Sequence, residues 1–235
     1  MLKEKLLSLK LYGMAKSVGE EPLAFEEGLN LLLDKEIAFR QDKQLRMLLS
    51  KAKLKYSNAC VEEIDFKADR GLGKSQITEL SSNGWIKKSR NIILTGPTGA
   101  GKTYLACALG NSACRSGIAA RYIRLPRLLQ EMKISRADGS YIKLLNRLSK
   151  IKLLIIDDWG INLLDETQRR DLLEIFEDRH QLCSTVITAQ VPVDKWHEDI
   201  GEHTIADAIL DRIVHNAYQI KLTGESMRKK MSGKS

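Results

Sequence analysis

Residues 91–103 read NIILTGPTGAGKT, and this stretch decides the fold of the 235-residue chain. Its apolar first part predicts a buried strand, and residues 96–103 fit the pattern G-x-x-x-x-G-K-[ST], which ends at Lys102 and Thr103. The residues that follow, 103–115, predict a helix. Glycines in this setting let backbone N–H groups surround phosphate oxygens, and the helix N-terminus adds partial positive charge. The stretch therefore predicts a phosphate-binding loop between a strand and a helix.

A second motif, LLIIDDWG at 153–160, supplies two adjacent carboxylates at the end of an apolar strand. Burying unpaired charge is costly, so Asp157 and Asp158 have no packing rationale and predict a site. We expect Asp157 to hold Mg²⁺ together with Thr103, and Asp158 to orient or deprotonate an attacking water. Lys102 is expected to reach the β- and γ-phosphates of ATP. The two motifs together predict a site for ATP and Mg²⁺.

Further residues are expected around the nucleotide. The strand at 184–189 ends at Gln190, which we expect to touch the γ-phosphate or its water; the alternative is that this side chain only caps a turn. The nucleotide itself is expected to contact the loop and the residues after it, namely Gly96, Pro97, Thr98, Gly99, Ala100, Gly101, Lys102, Thr103 and Tyr104.

The rest of the chain alternates strand and helix patterns around these motifs. Short continuous apolar runs at 91–95, 120–124, 152–157 and 184–189 are typical of a parallel sheet covered on both faces by helices. The fold class is therefore α/β, with a three-layer P-loop core. Residues 1–58 predict a small N-terminal helical domain, 59–90 a linker packing near the nucleotide, and 91–235 the ATPase core. The strand at 120–124, between the two motifs, is typical of ATPases that carry their own catalytic carboxylate.

Charge is distributed unevenly along the chain, whose formal net charge is +8. Residues 115–152 carry a net charge of +8 and residues 157–211 a net charge of −10, while 40–55 form another basic stretch. Such asymmetry suggests one face for a polyanion, although solvated helix faces are the alternative. With no obvious base-reading module, we expect sequence-tolerant, salt-sensitive binding to double-stranded DNA. The residues proposed for this contact are Lys133, Arg136, Lys143 and Arg147.

Cysteine usage and the N-terminal sequence indicate the compartment. The cysteines, at 60, 107, 114 and 183, form no C-x-x-C pair and have no histidines at metal-ligand spacing, so we expect reduced, buried and inert thiols. Charged residues interrupt the leucines of MLKEKLLSLK, which therefore lacks the apolar core of a signal peptide or membrane span. A cytoplasmic location without membrane association is expected.

Four segments carry a family resemblance: GPTGAGKTYLACALG, LLIIDDWG, STVITAQVPVDKWHE and, above all, AILDRIVHNAYQIKLTGESMRKK. They resemble the IstB-type ATPases encoded by bacterial insertion sequences, which are similar to DnaC-type helicase loaders and belong to the AAA+ class. The resemblance spans roughly 65–230, and GESMRK is its most family-specific part.

The resemblance implies roles at single positions. It puts Gly101, Lys102 and Thr103 at the Walker A positions, Asp157 and Asp158 at Walker B, and Gln190 at the first sensor position. Arg212 matches an arginine finger that reaches the γ-phosphate of a neighbouring subunit, with an exposed Asp211–Arg212 pair as the alternative. Arg228 is a candidate second sensor that would contact the nucleotide.

Two departures from the AAA+ pattern affect these roles. Many AAA+ proteins have glutamate where this chain has Asp158, and the shorter side chain suits a slow switch better than a motor. The residues after Asp211 are too few for a full helical lid, so a minimal lid or none is expected.

These observations predict an ATP-dependent, DNA-binding transposition helper. It is expected to oligomerise on target DNA, to recruit or regulate an IstA-type transposase, and to hydrolyse ATP slowly in dependence on DNA or on the oligomer. A replicative helicase loader is the alternative, since nothing in the ATP site separates the two. A small-molecule P-loop kinase is a third reading, against which stand the adjacent Asp157 and Asp158, the Gln190 strand and Arg212.

Overall fold

The computed structural model describes residues 2–18, 25–66, 71–224 and 227. The chain forms two compact units, residues 1–50 and 51–235. The boundaries predicted from the sequence, at 58 and 90, stay a prediction.

The N-terminal unit is helical, as predicted. It contains α1 (Leu2–Ser8), α2 (Tyr12–Ser17) and most of α3 (Phe25–Ala52). Leu6 and Met14 pack into its small apolar core. The buried carboxylate of Glu36 accepts hydrogen bonds from the backbone N–H groups of Gly13 (2.6 Å) and Met14 (3.2 Å), so it satisfies two donors at the start of α2.

The second unit is built on a five-stranded, all-parallel sheet in the order β2-β3-β4-β1-β5. The strands are β1 (Asn91–Thr95), β2 (Ala120–Arg124), β3 (Leu153–Trp159), β4 (Ser184–Ala189) and β5 (Ala217–Lys221). β1 and β4 are wholly buried and β3 nearly so, which accounts for their continuous apolar runs. The predicted α/β fold with a parallel sheet is confirmed. β5 was missed by the sequence analysis.

Helices cover both faces of the sheet. The helices of this unit are α4 (Lys74–Ser81), α5 (Gly84–Lys87), α6 (Lys102–Arg115), α7 (Leu125–Ala137), α8 (Tyr141–Ser149), α9 (Glu166–Arg179), α10 (Trp196–Ile200) and α11 (His203–Val214), with short 3-10 turns at Val61–Glu63 and Val193–Lys195. α6 and α4 lie on one face, and the main apolar core joins α7–α11 to the other. Local signals set the ends: Pro126 lies in the first turn of α7, and Asp165 with Gln168 forms a capping box on α9.

The parallel arrangement brings the two sequence motifs to one edge of the sheet. β4 lies between β1 and β3, and Thr95 at the end of β1 is in register with Ala189 of β4. A register shift between Ile156 and Trp159 marks a bulge at the end of β3, at the two adjacent aspartates. The carboxyl ends of β1, β3 and β4 therefore surround a common site.

Two further findings concern the described residues. All four cysteines are free thiols; three are buried and Cys60 is partly exposed, so burial of every cysteine is not observed. Within the described part of the chain, no helix combines the length and apolar character needed to cross a bilayer.

Candidate nucleotide site

The phosphate loop connects β1 to α6, where the sequence predicted it. Gly96 adopts φ = +142°, and a Cβ there would lie 2.1 Å from the carbonyl oxygen of Leu222, so only glycine fits. Leu222 also donates its N–H to the carbonyl of Thr95 at 2.7 Å. The segment after β5 thus packs against the start of the phosphate loop.

Lys102, at the start of α6, folds back over this loop. Its Nζ donates to the carbonyl oxygens of Gly96 (2.5 Å) and Pro97 (2.9 Å), and the residue is 8% exposed. A phosphate oxygen offers this ammonium group a charged acceptor in place of neutral carbonyls, and charge-assisted bonds are about twice as strong. The position of Lys102 therefore suits it to phosphate binding.

Asp157 is fully buried at the end of β3, and hydroxyl groups satisfy its carboxylate. Thr103 donates to it at 2.9 and 3.1 Å, Tyr122 of β2 at 2.6 Å, and Thr188 of β4 through a short hydrogen bond. Burial, and then the neighbouring carboxylate, raises the pKa of the Tyr122 phenol, which keeps it a donor. The structure thus brings Thr103 and Asp157 together, and it adds Tyr122 and Thr188 as partners that the sequence analysis missed.

Asp158 occupies the bulge at the end of β3. Its φ of +65° is left-handed, which is uncommon for a residue with a side chain but several-fold enriched for aspartate and asparagine. Its N–H donates to the hydroxyl of Thr188 at 3.3 Å, and its Oδ2 accepts a hydrogen bond from Nε of Arg124 at 2.5 Å. That bond, then the charge of Asp158, raises the pKa of Arg124. Arg124 is therefore an unpredicted member of the site.

Gln190 follows β4 and reaches the phosphate loop. Its Oε1 accepts a hydrogen bond from the hydroxyl of Thr98 at 2.8 Å. The side chain therefore contacts the phosphate loop from the end of β4. Its predicted contact with the γ-phosphate stays a prediction.

One cavity of about 870 Å³, a volume in the range of ligand pockets, lies beside the phosphate loop and the two aspartates. Lys102, Thr103, Asp157, Asp158 and Gln190 form its polar end. Its other walls come from residues between α3 and α4, from α6 and from the C-terminal segment. They are Tyr56, Glu63, Ile64, Leu72, Tyr104 and Met227. The cavity thus offers a charged end and an aromatic and aliphatic end.

Tyr104 joins the linker segment to α6. Its hydroxyl donates to Glu63 at 3.2 Å, and its ring centroid lies 6.1 Å from that of Tyr56. Burial is the main cause that raises the pKa of its phenol. Tyr104 was expected from the sequence to contact the nucleotide, but Tyr56 and Glu63 were missed. The only signal was the place of Glu63 in the segment 59–90, expected to pack near the nucleotide; Tyr56 was assigned to the N-terminal helical domain.

The donor set at the polar end suits Mg²⁺. The hydroxyl of Thr103 and the carboxylate of Asp157 are hard oxygen ligands, and Mg²⁺ commonly binds through one or two carboxylates together with phosphate oxygens and water. No group of three or more histidine, cysteine, aspartate or glutamate side chains suited to a metal occurs in the described ranges. Mg²⁺ bound in this manner does not require such a group.

Arg212 lies away from this edge of the sheet. Its backbone carbonyl accepts a hydrogen bond from the side chain of Asn91, the first residue of β1, whereas the phosphate loop follows the last residue of that strand. At about 3.3 Å per residue, the strand separates the two by roughly 15 Å. The Arg212 side chain forms a short hydrogen bond to Glu177 and a longer ion pair with Asp211 at 3.6 Å. Arg228 lies outside the described residues.

The four residues predicted to contact DNA belong to α7 and α8. Lys133 and Lys143 are exposed, and neither shows an ion pair in the structure as described. Arg147 lies 3.6 Å from Glu131, and Arg136 lies 2.5 Å from Asp171. The four residues therefore share the same pair of helices but differ in their partners.

Comparison with known proteins places this site in a family. A family model described as IstB-like ATP binding protein matches residues 5–235. An insertion sequence ATP-binding protein of Sinorhizobium fredii is 45% identical, over 99% of this chain and 97% of its own length. The ATP-binding protein of an insertion sequence from Pseudomonas fluorescens is 47% identical, over 80% of this chain and 84% of its own length.

Solved structures agree on the fold. DnaI matches with a TM-score of 0.60 at 23% identity, covering 76% of this chain and 94% of its own. The DnaC helicase loader matches with a TM-score of 0.57 at 20% identity, covering 71% of this chain and 97% of its own. This five-stranded parallel sheet with its P-loop thus shares its fold with DnaI and the DnaC helicase loader. With the family match over nearly its whole length, the chain belongs to the IstB-like ATP binding proteins of insertion sequences.

Proposed function

We propose that this protein binds ATP with Mg²⁺ in the cavity of about 870 Å³, hydrolyses it slowly, and assembles with further copies on double-stranded DNA to assist an IstA-type transposase. One observation carries the proposal. Lys102, Thr103, Asp157 and Asp158 meet at one edge of a parallel sheet, in a chain that belongs to a family of insertion-sequence ATP-binding proteins.

Each side chain has a role in this proposal. Lys102 binds the β- and γ-phosphates, and Thr103 with Asp157 holds Mg²⁺, which neutralises phosphate charge when bound. Asp158 orients the attacking water or takes its proton, and Gln190 contacts the γ-phosphate from β4. The hydrogen bond from Arg124 makes the Asp158 carboxylate a weaker base toward the attacking water, because a carboxylate paired with a guanidinium holds a proton less readily. Slow turnover is consistent with that pairing.

Assembly of several copies would complete the site. Arg212 lies roughly 15 Å from the phosphate loop of its own chain, as the length of β1 requires, so its own chain cannot use it on the nucleotide. A head-to-tail contact between copies would bring Arg212 of one chain toward the nucleotide of the next. Such contacts generate rings or helical filaments. The proposed arginine finger therefore acts only in the oligomer.

The DNA contact is proposed for α7 and α8. The segment 115–152 carries a net charge of +8, and Lys133 and Lys143 present exposed ammonium groups there. Lysine and arginine on a helix pair neutralise phosphates without reading bases, so affinity would depend on salt and tolerate any sequence. This is the behaviour that target capture by a transposition helper requires.

The choice of a transposase partner over a helicase comes from the relatives. The similar sequences with high coverage are insertion-sequence proteins, whereas the likeness to the DnaC helicase loader is 20% identical and concerns the fold. A pull-down with the full chain separates the two: recovery of a replicative helicase and no transposase would overturn the proposal. A metabolite phosphorylated by ATP, at a rate independent of DNA and of protein concentration, would instead favour a kinase.

The decisive experiment is electron microscopy of the full chain with duplex DNA and a slowly hydrolysed ATP analogue. We expect a ring, clamp or filament around the duplex that requires both ligands. The Lys102→Ala variant is the control that should fail to assemble. Monomers in the presence of both ligands, from a preparation that binds ATP, would contradict the assembly role while leaving nucleotide binding intact.

A further inference from the structure

A buried carboxylate joins three helices beside the proposed DNA contact. Asp171 of α9 has a side chain only 3% exposed, and its Oδ1 accepts three hydrogen bonds. Two come from Arg136 at the end of α7, from Nη2 at 2.5 Å and Nε at 3.0 Å. The third comes from the hydroxyl of Tyr141, the first residue of α8, at 3.0 Å. We refer to α7, α8 and the turn between them, residues 125–149, as the α7–α8 hairpin.

Arg136 is held by more than its charge. Its guanidinium carbon lies 3.9 Å from the centroid of the Tyr141 ring, a stacked cation–π geometry. Burial, and then the Asp171 carboxylate, raises the pKa of Tyr141 to about 12, so the phenol stays a donor. The side chain of Arg136 therefore fixes the end of α7 to the start of α8 and both to α9.

The other cations of the hairpin are bound differently. Arg147 approaches Glu131 only at 3.6 Å, and Arg121 of the preceding strand β2 approaches the same carboxylate at 3.7 Å. Lys133 and Lys143 are exposed without an ion pair among the described residues. Removing Arg136 from Asp171 would strand a buried charge, which is strongly unfavourable. A DNA phosphate would therefore draw Arg136 away far less readily than it would engage the lysines.

We propose that Arg136 is a positioning residue: with Asp171 and Tyr141 it fixes the α7–α8 hairpin on α9, and so presents Lys133 and Lys143 to duplex phosphates. This inference rests on the proposed function, in which the hairpin contacts DNA. It assigns Arg136 a role distinct from the phosphate contact expected from its charge. A hairpin fixed in advance loses less conformational freedom on binding, which favours affinity.

The direction in which DNA affinity changes when the Asp171 charge is removed tests the proposal. Asp171→Asn removes a negative charge near the basic hairpin, so a purely electrostatic surface would bind DNA more tightly. If Asp171 positions the hairpin, the affinity for duplex DNA falls instead, by about five- to ten-fold, because charge-assisted hydrogen bonds are lost. Glu131→Gln is the matched control: it removes the same amount of charge from the hairpin itself, releases Arg121 and Arg147, and should tighten binding.

Salt dependence separates a positioning role from a phosphate contact. Arg136→Gln should weaken binding while the slope of log affinity against log salt stays unchanged. Lys133→Gln and Lys143→Gln should each lower that slope by about one. Tyr141→Phe removes a single hydrogen bond with little change in packing, and it should show a smaller loss of affinity in the same direction as Asp171→Asn. It also serves as the test if Asp171→Asn does not fold.

Failure of the inference and failure of the proposed function look different. Tight DNA binding by folded Asp171→Asn and Tyr141→Phe variants, or a salt slope lowered by about one in Arg136→Gln, would overturn the positioning role. If the wild-type chain binds no DNA, the proposed DNA contact fails instead. Amide hydrogen exchange across residues 136–142 then tests the anchor by itself: faster exchange in Asp171→Asn supports it, and unchanged exchange contradicts it.

Discussion

The guanidinium Nε of Arg124 donates a hydrogen bond of 2.5 Å to Oδ2 of Asp158. Arg124 is the last residue of β2 and precedes α7 directly, so the proposed catalytic carboxylate is tied to the residue immediately before the α7–α8 hairpin. The pair joins the nucleotide cavity to the proposed DNA contact through one contact between neighbouring strands.

Replacing Arg124 should release Asp158. We expect Arg124→Gln to raise ATP turnover in the absence of DNA by about ten-fold, the order of one lost charge-assisted hydrogen bond, with ATP affinity unchanged. A steady-state ATPase assay with and without duplex DNA measures the effect. Arg127→Gln, which alters an arginine near the start of α7 whose side chain donates a hydrogen bond to Gln130, should leave turnover unchanged. Turnover reduced in Arg124→Gln would show that the guanidinium assists catalysis.

Lys102 and Asp158 should affect different steps. Lys102→Ala removes charge-assisted phosphate contacts, so ATP affinity should fall by about ten- to one-hundred-fold. Asp158→Asn keeps the left-handed backbone, which asparagine tolerates, and should retain ATP affinity while turnover falls by about one-hundred-fold or more. Calorimetry with ATP and a turnover assay separate the two. Loss of ATP binding in Asp158→Asn would contradict the assignment of the carboxylate to the hydrolytic step.

Arg212 should matter only between copies. Arg212→Ala should leave ATP binding unchanged and abolish the rise of turnover with protein concentration. Glu177→Gln removes its partner in the same chain, and it should preserve that rise because the guanidinium remains available. Assays over a series of protein concentrations compare the variants. Equal losses in both variants would instead identify an intrachain ion pair that holds α9 and α11 together.

The fit of Gly96 against Leu222 predicts a strong effect of one methyl group. In Gly96→Ala the new Cβ would overlap the Leu222 carbonyl, so ATP binding should be lost and the melting temperature lowered. Gly139→Ala is the control: it also has positive φ, at +75°, but no atom lies within 4 Å of the new Cβ. It should cost only about 1–2 kcal/mol of backbone strain and leave ATP binding intact. Retained ATP affinity in Gly96→Ala would refute the packing argument.

The Tyr141 phenol should lose its proton at a higher pH than an ordinary tyrosine. Its pKa is raised from 10.0 to about 12, and a group whose folded pKa is raised contributes stability that is complete below the unfolded pKa and lost as pH rises through the folded one. The free energy of unfolding should therefore decline between pH 10 and about 12 less in Tyr141→Phe than in wild type. Tyrosinate absorbance measures the titration directly, and a difference curve centred at pH 10.0 would contradict the buried contact with Asp171.

The sequence predicted those parts of the site that lie in continuous motifs. The phosphate loop and the aspartates at 157 and 158 were found because buried parallel strands are apolar runs and because glycine and carboxylate patterns there have a chemical reason. The strand β5 was missed because, of its five residues, Ile220 is buried and the others are partly or fully exposed, so AYQIK lacks the apolar run of the inner strands.

Hydrogen-bond partners that depend on the register between strands could not be predicted from the sequence. Tyr122, Thr188 and Arg124 reach the aspartates only because β2 and β4 flank β3 in the folded sheet. Arg136 illustrates the same limit for contacts between helices. Its charge was visible in the sequence, but its contacts with Asp171 and Tyr141 join three helices and arise only in the tertiary structure.

The left-handed backbone at Asp158 bears on how this site evolves. Aspartate and asparagine are the charged or amide side chains that best tolerate φ = +65°, so a glutamate introduced at 158 would meet strain at this bulge as well as a longer reach. The difference from AAA+ proteins with glutamate is then a matter of strand geometry first and of reactivity second. An exchange of the two residues would therefore carry about 1–2 kcal/mol of backbone strain at the end of β3, in addition to any change in the rate of hydrolysis.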